Sequence, residues 1–189
     1  MNTLAQDLLY VAPEFLVGAM ACVVLLADVF VSAERRQTIG FLLTVATLIG
    51  AMVLSLLIQP AEPVVAFGGQ FVLDGLATLV KIVTYLAVIL VLVYSQHYLR
   101  EWDIAKGEYL VLVLIATLGM LVMASGGSLL TIYLGLEMLS LALYALVAFR
   151  RDSALASEAA MKYFVLGAMA SGMLLYGMSL MYGMTTSLD

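Results

Sequence analysis

The chain has 189 residues, of which 65% are hydrophobic and 11% charged, with a net charge of −5. Soluble globular domains carry about 25% charged residues, so this composition excludes a water-soluble fold. No long stretch is polar enough to be a soluble domain hung on one anchor. The few charges fall mostly in short connectors, where they set topology rather than a partner-binding surface, and no nucleic-acid partner is expected.

Residues 1–11 contain no Lys or Arg and include Asp7, so the basic start of a signal peptide is missing and the first apolar run reads as a retained span. A helix needs roughly 20 mostly apolar residues to cross the hydrocarbon. Six runs qualify, at 13–31, 39–58, 76–94, 108–125, 129–149 and 158–182. The sequence therefore predicts an all-α polytopic membrane protein, one transmembrane domain over 1–189 with about six spans. Pro13 suits a first helical turn, where its missing N–H is no loss. Breakers mark the connectors: Pro60 and Pro63, Gly68 and Gly69, then Ser125 to Ser128.

Basic residues set direction. Arg35 and Arg36 lie in the first connector, Arg100 and Lys106 in the third, and Arg150 and Arg151 in the fifth; the other connectors and both tails have none. Odd connectors are thus expected in the cytoplasm, with both ends of the chain on the opposite side.

Charge inside the hydrocarbon is expensive, at about 2.5–3.5 kcal/mol for a central Asp, Lys or Arg. Glu137 lies about 12 Å into the fifth span, and the cytoplasmic end about 18 Å further on is too far for its carboxylate to reach. Tyr133, Glu137, Ser140 and Tyr144 follow the i, i+4, i+7, i+11 spacing of one helix face. Such a stripe suits proton relay or ion coupling; the alternative is a protonated acid that only packs. Asp74, Thr78, Lys81 and Tyr85 repeat the spacing on the third span, with Lys81 about 8 Å in. Lys81 is a second proton-transfer candidate, or else it snorkels so that its ammonium meets Asp74 or headgroups. Lys162 enters the sixth span only about 6 Å deep, four residues after Glu158, so a surface pair competes with a transfer role. No contact between Glu137 and Lys162 is expected.

The other charges read as structural. Glu14 sits in a first turn, where the helix dipole favours an acid, and Asp28 is within reach of Arg35 or Arg36. His97 lies beside Tyr94 and Tyr98 as an interfacial residue, and with Cys22 it makes no metal site. Cys22 has no disulfide partner in the chain and says little about redox compartment. The twelve methionines read as packing. Gly167 with Ser171, and Ala168 with Gly172, are small-residue pairs that permit close helix approach. Nucleotide loops, CxxC and haem-ligand His pairs are missing, so no cofactor is expected in this chain.

Residues 133–152, YLGLEMLSLALYALVAFRRD, and 158–183, EAAMKYFVLGAMASGMLLYGMSLMYG, resemble subunit N of bacterial NADH–quinone oxidoreductase, respiratory complex I. Residues 71–82 and 108–137 add support, and the GLE–LSL segment is shared with other antiporter-like subunits and multisubunit Na⁺/H⁺ antiporters. The resemblance implies a proton-translocating membrane-arm subunit of the bacterial cytoplasmic (inner) membrane, with other membrane-arm subunits and lipid as partners. It implies that NADH, FMN, iron–sulfur clusters and quinone belong to other subunits. Glu137 matches the family's fifth-helix glutamate and Lys162 its sixth-helix lysine. In that family of about fourteen helices the glutamate pairs with a lysine on the seventh helix, which these residues, with about six spans, do not include. The competing readings are an antiporter subunit or a non-transporting scaffold.

Overall fold

The computed structural model describes residues 4–31, 33–101 and 107–188. Lys106 and the side chain of Arg100, two of the residues used to assign sidedness, lie outside the described parts. A short helix α1 (Leu4–Tyr10) precedes α2 (Ala12–Phe30) and α3 (Ala33–Leu57). A hairpin of β1 (Val64–Ala66) and β2 (Phe71–Leu73) follows, then α4 (Gly75–Glu101), α5 (Gly107–Ala124), α6 (Leu129–Val147) and α7 (Ala154–Thr185). Helices α2 to α7 are each long and apolar enough to cross a membrane, so the polytopic α-helical class expected from composition is the observed one.

The interior is built from one stripe of each helix. Val17, Ala21 and Val24 of α2 recur at helical spacing and meet Leu48 and Ala51 of α3, Tyr85 and Leu92 of α4, and Leu110, Leu114 and Leu121 of α5. The outward stripes stay apolar, with Leu25, Val53, Val83 and Val93 exposed. Facing lipid rather than water, those residues need no cover. Helix α5 packs between α2 and α6, and α7 packs on α6. The close approach of α5 and α6 depends on glycine: a Cβ on Gly119 would stand 2.7 Å from the Gly135 carbonyl oxygen and the Leu139 nitrogen.

Polar residues within the bundle are satisfied largely by their own helices. Thr44, Thr47, Ser55, Thr78 and Thr117 each donate to the carbonyl four residues earlier, the usual way a hydroxyl avoids being orphaned in an apolar helix.

The segment around Gly68 and Gly69, expected only as a connector, is a hairpin. Val64, Val65 and Ala66 pair antiparallel with Leu73, Val72 and Phe71. The turn places Phe67, Gly68 and Gly69 at φ of 51°, 66° and 100°, which glycine tolerates and which strains Phe67. The hairpin is anchored to the α5–α6 turn, where Val72 donates to the Ser125 carbonyl at 2.9 Å and Gly127 to that of Gln70 at 3.0 Å. Asp7 of α1 accepts from the Phe67 N–H at 3.3 Å. Leu129, opening α6, donates to the Leu188 carbonyl at 2.8 Å. One end of the bundle thus gathers α1, the hairpin, the α5–α6 turn and residue 188. The other end holds the ion pairs Arg36–Asp28 at 3.7 Å and Arg151–Glu108 at 2.7 Å.

Candidate functional site

Ser128 starts α6 by accepting from the Thr131 N–H at 3.2 Å, the N-cap that fixes where the helix begins and so how far Glu137 lies along it. Gly135 and Ala142 are buried residues of α6, and Gly135 abuts α5. Tyr133, Glu137 and Tyr144 point to the other side, towards α7. Glu137 Oε1 accepts a hydrogen bond from the Ser171 hydroxyl. Tyr133 Oη is 3.2 Å from Ser171 Oγ. With the serine hydrogen committed to the carboxylate, the tyrosine must donate to the serine, giving a chain Tyr133 to Ser171 to Glu137. Glu137 is half-buried. Among the described residues, no cationic side chain lies within ion-pair distance of it.

The rest of the polar stripe divides. Ser140 is half-buried on α6. Tyr144 instead sits in an aromatic cluster, edge-on to Tyr163 at 4.9 Å and to Phe164 at 5.5 Å. Its hydroxyl occupies the space a Cβ on Gly167 would need. Lys162 pairs with Glu158 at 2.6 Å, and the two side chains are 71% and 61% exposed. The Tyr144–Tyr163 contact places Lys162 level with the last turns of α6, roughly 10 Å along the axis from Glu137.

Of the two expectations for Lys81, the snorkelling one does not hold. Its ammonium meets neither Asp74 nor the surface: Nζ is 2.5 Å from Glu14 Oε1, with side-chain exposures of 1% and 4%. Asp74 is occupied as a helix cap, its Oδ1 accepting from the Ala77 N–H at 2.7 Å. A cap closes on its own helix three residues on, whereas Lys81, two turns on, faces the interior with Thr78 and Tyr85. Glu14 is accordingly half of a buried ion pair between α2 and α4, not only a first-turn acid. The Phe71 ring covers the ammonium at 5.0 Å from its centroid, a favourable cation–π placement. Tyr85 Oη lies 3.4 Å from Ser55 Oγ.

Two residues of these sites were missed from the sequence. Ser171 stood out only as a small residue; a hydroxyl within an apolar helix that follows a Glu-bearing one is the signal that could have found it. Glu14 and Lys81 are separated in sequence by helix α3 and the hairpin, and only their charges in apolar runs connect them. Among the described residues, no group of His, Cys, Asp and Glu could hold a metal ion.

Fold and site together define a polytopic helical membrane protein with ionisable groups held inside its bundle. Residues 126–189 match the family described as "NADH:quinone oxidoreductase/Mrp antiporter, TM". The chain is 55% identical, over 97% of its length, to NADH-quinone oxidoreductase subunit N of Thioalkalivibrio sulfidiphilus, and 53% identical over its whole length to that of Acidithiobacillus ferrooxidans. Among solved structures it resembles a chain of respiratory complex I from Thermus thermophilus, with a TM-score of 0.75, 31% identity and 93% of this chain covered. A chain of an archaeal membrane-bound sulfane sulfur reductase shares the fold, with a TM-score of 0.70 at 24% identity over 99% of this chain. Along its length the chain is similar to the first part of NADH–quinone oxidoreductase subunit N. It spans 38% and 39% of the length of the two curated relatives named, and 38% and 39% of the two structural ones.

Proposed function

We propose that this chain is part of a proton-translocating membrane-arm subunit of NADH–quinone oxidoreductase in the bacterial cytoplasmic membrane. It works beside other membrane-arm subunits and is driven by electron transfer on subunits that hold NADH, FMN, iron–sulfur clusters and quinone. This chain itself performs no redox chemistry. The observation that carries the reading is Glu137: a carboxyl group in mid-span, held by the Ser171 hydroxyl that Tyr133 in turn reaches, and by no cation among the described residues. An acid in that setting changes its proton affinity strongly when a charge approaches. A positive charge arriving nearby favours the carboxylate and drives the proton off; its departure favours the protonated acid and draws a proton in. The Tyr133–Ser171 chain gives the proton a hydroxyl path along the α6–α7 seam, and Lys162, paired with Glu158 towards the cytoplasmic end, is a separate transfer site roughly 10 Å away.

The test is Glu137→Gln in the full-length protein within the assembled complex, in inverted membrane vesicles. Proton uptake per NADH oxidised should fall while assembly is kept, because the glutamine cannot carry the proton. Unchanged uptake would make Glu137 structural. The family description also names Mrp antiporters; a deletion that produces sodium-sensitive growth with intact NADH–quinone activity would favour that second reading.

A further inference from the structure

The Glu14–Lys81 pair is more deeply buried than Glu137, and the relay described above does not use it. Both of its side chains are within a few per cent of complete burial, at 2.5 Å separation. Neither Glu14 oxygen, nor the Lys81 nitrogen, has a partner that meets hydrogen-bond geometry. A buried ion pair kept purely for structure is normally sustained by further hydrogen bonds to its remaining lone pairs and protons, because the pair's own attraction barely offsets desolvation. Here the surroundings are a phenyl ring over the ammonium, a tyrosine turned towards Ser55, and an aspartate engaged as a cap. The buried Ser125 hydroxyl, in the turn that anchors the hairpin, likewise has no partner. These atoms keep free hydrogen-bonding capacity, which a water molecule satisfies where the site has room for one.

We propose that Glu14 and Lys81 form a second proton-carrying centre, exchanging protons with water at the hairpin end of the bundle. In the ion-paired form Lys81 is an ammonium and Glu14 a carboxylate. Moving one proton breaks an N–H bond of Lys81 and forms an O–H bond on Glu14, and both charges vanish. With few hydrogen bonds holding the charged form, desolvation removes much of the preference for the ion pair that water would impose. The carboxylic acid then passes its proton to water, leaving carboxylate and neutral amine. Proton uptake by the amine restores the pair, so the site alternates between no net charge and one negative charge. Glu14 stands in the first turn of α2 and Lys81 less than two turns into α4, directly under the hairpin residue Phe71. Exchange therefore takes place near one surface, and α5 separates this centre from α6.

The inference rests on the reading of the chain as part of a proton-translocating subunit. The decisive variant is the double substitution Glu14→Gln with Lys81→Met in the full-length protein of the assembled complex, which leaves no lone buried charge. Proton uptake per NADH should fall by about twofold with assembly intact. Uptake at the unsubstituted level would show the pair to be structural and overturn the inference. Glu137→Gln in the same membranes separates the two ideas: a loss there, with none in the double variant, leaves the functional reading standing and removes only this centre. Should the double variant fail to assemble, infrared difference spectra of resting and turning-over complex decide. A carboxylic-acid C=O band that shifts in D₂O and moves in Glu14→Asp supports the exchange, and no such band overturns it.

Discussion

Lys81 and Lys162 are both lysines in apolar helices, yet their removal should have opposite consequences. Lys81→Met alone strands Glu14 as an unpaired buried carboxylate, which we expect to destabilise the bundle by about 3–5 kcal/mol. Lys162→Ala releases a carboxylate that water or headgroups already reach, with an expected loss below about 0.5 kcal/mol. Thermal unfolding of the purified protein in detergent separates the two; equal losses would mean that Lys162 is buried where this chain leaves it open. Ser171→Ala should lower proton uptake less than Glu137→Gln does, because it removes one charge-assisted hydrogen bond, worth about 1.5–3 kcal/mol, and leaves the acid in place. The sequence made the exceptional residues legible, since a charge in an apolar run stands out unaided. It did not disclose their partners. Lys81 has an acid seven positions back on its own chain, and that acid turned out to be capping a helix; the true partner is 67 positions away and was brought there by packing.

At the level of elements, glycine decides which helices can touch. Gly119→Ala drives a methyl group into the backbone of α6, so α5 and α6 must separate, with an expected cost of about 1–3 kcal/mol. A Cβ on Gly172 meets nothing within 4 Å, and Gly172→Ala should be neutral or gain up to about 1 kcal/mol from helix propensity. A melting-temperature comparison of the two variants checks the contrast, and a fall for Gly172→Ala would disprove the open face. The sequence offered two small-residue pairs on α7 as equals. In the fold, Gly167 and Ser171 meet α6, while Ala168 and Gly172 remain exposed. Spacing identifies faces but not which face is used. The long spans were readable because each repeats one signal over many residues. The hairpin was not, because its strands are only three residues long; Gly68 and Gly69 between two short apolar runs were the available clue.

For the molecule as a whole, sidedness has two separable parts. Three helices, α4 to α6, separate Glu62 from Asp152, so the two connectors lie on opposite faces whichever way the protein inserts. Which face is outside depends on Arg35, Arg36, Arg150 and Arg151, all near the end remote from the hairpin. Cys22 is exposed and must first be replaced. Single cysteines at positions 62 and 152, both exposed, then report through a membrane-impermeant maleimide. We expect position 62 to label in intact spheroplasts and position 152 only in inverted vesicles. Labelling of both from one side would refute the six-helix crossing pattern. A clean reversal would keep the fold but turn the protein over, moving the hairpin end, and with it Glu14, Lys81 and the nearer approach to Glu137, to the cytoplasmic face. Protons would then reach both carboxylates from the side that the basic residues now exclude.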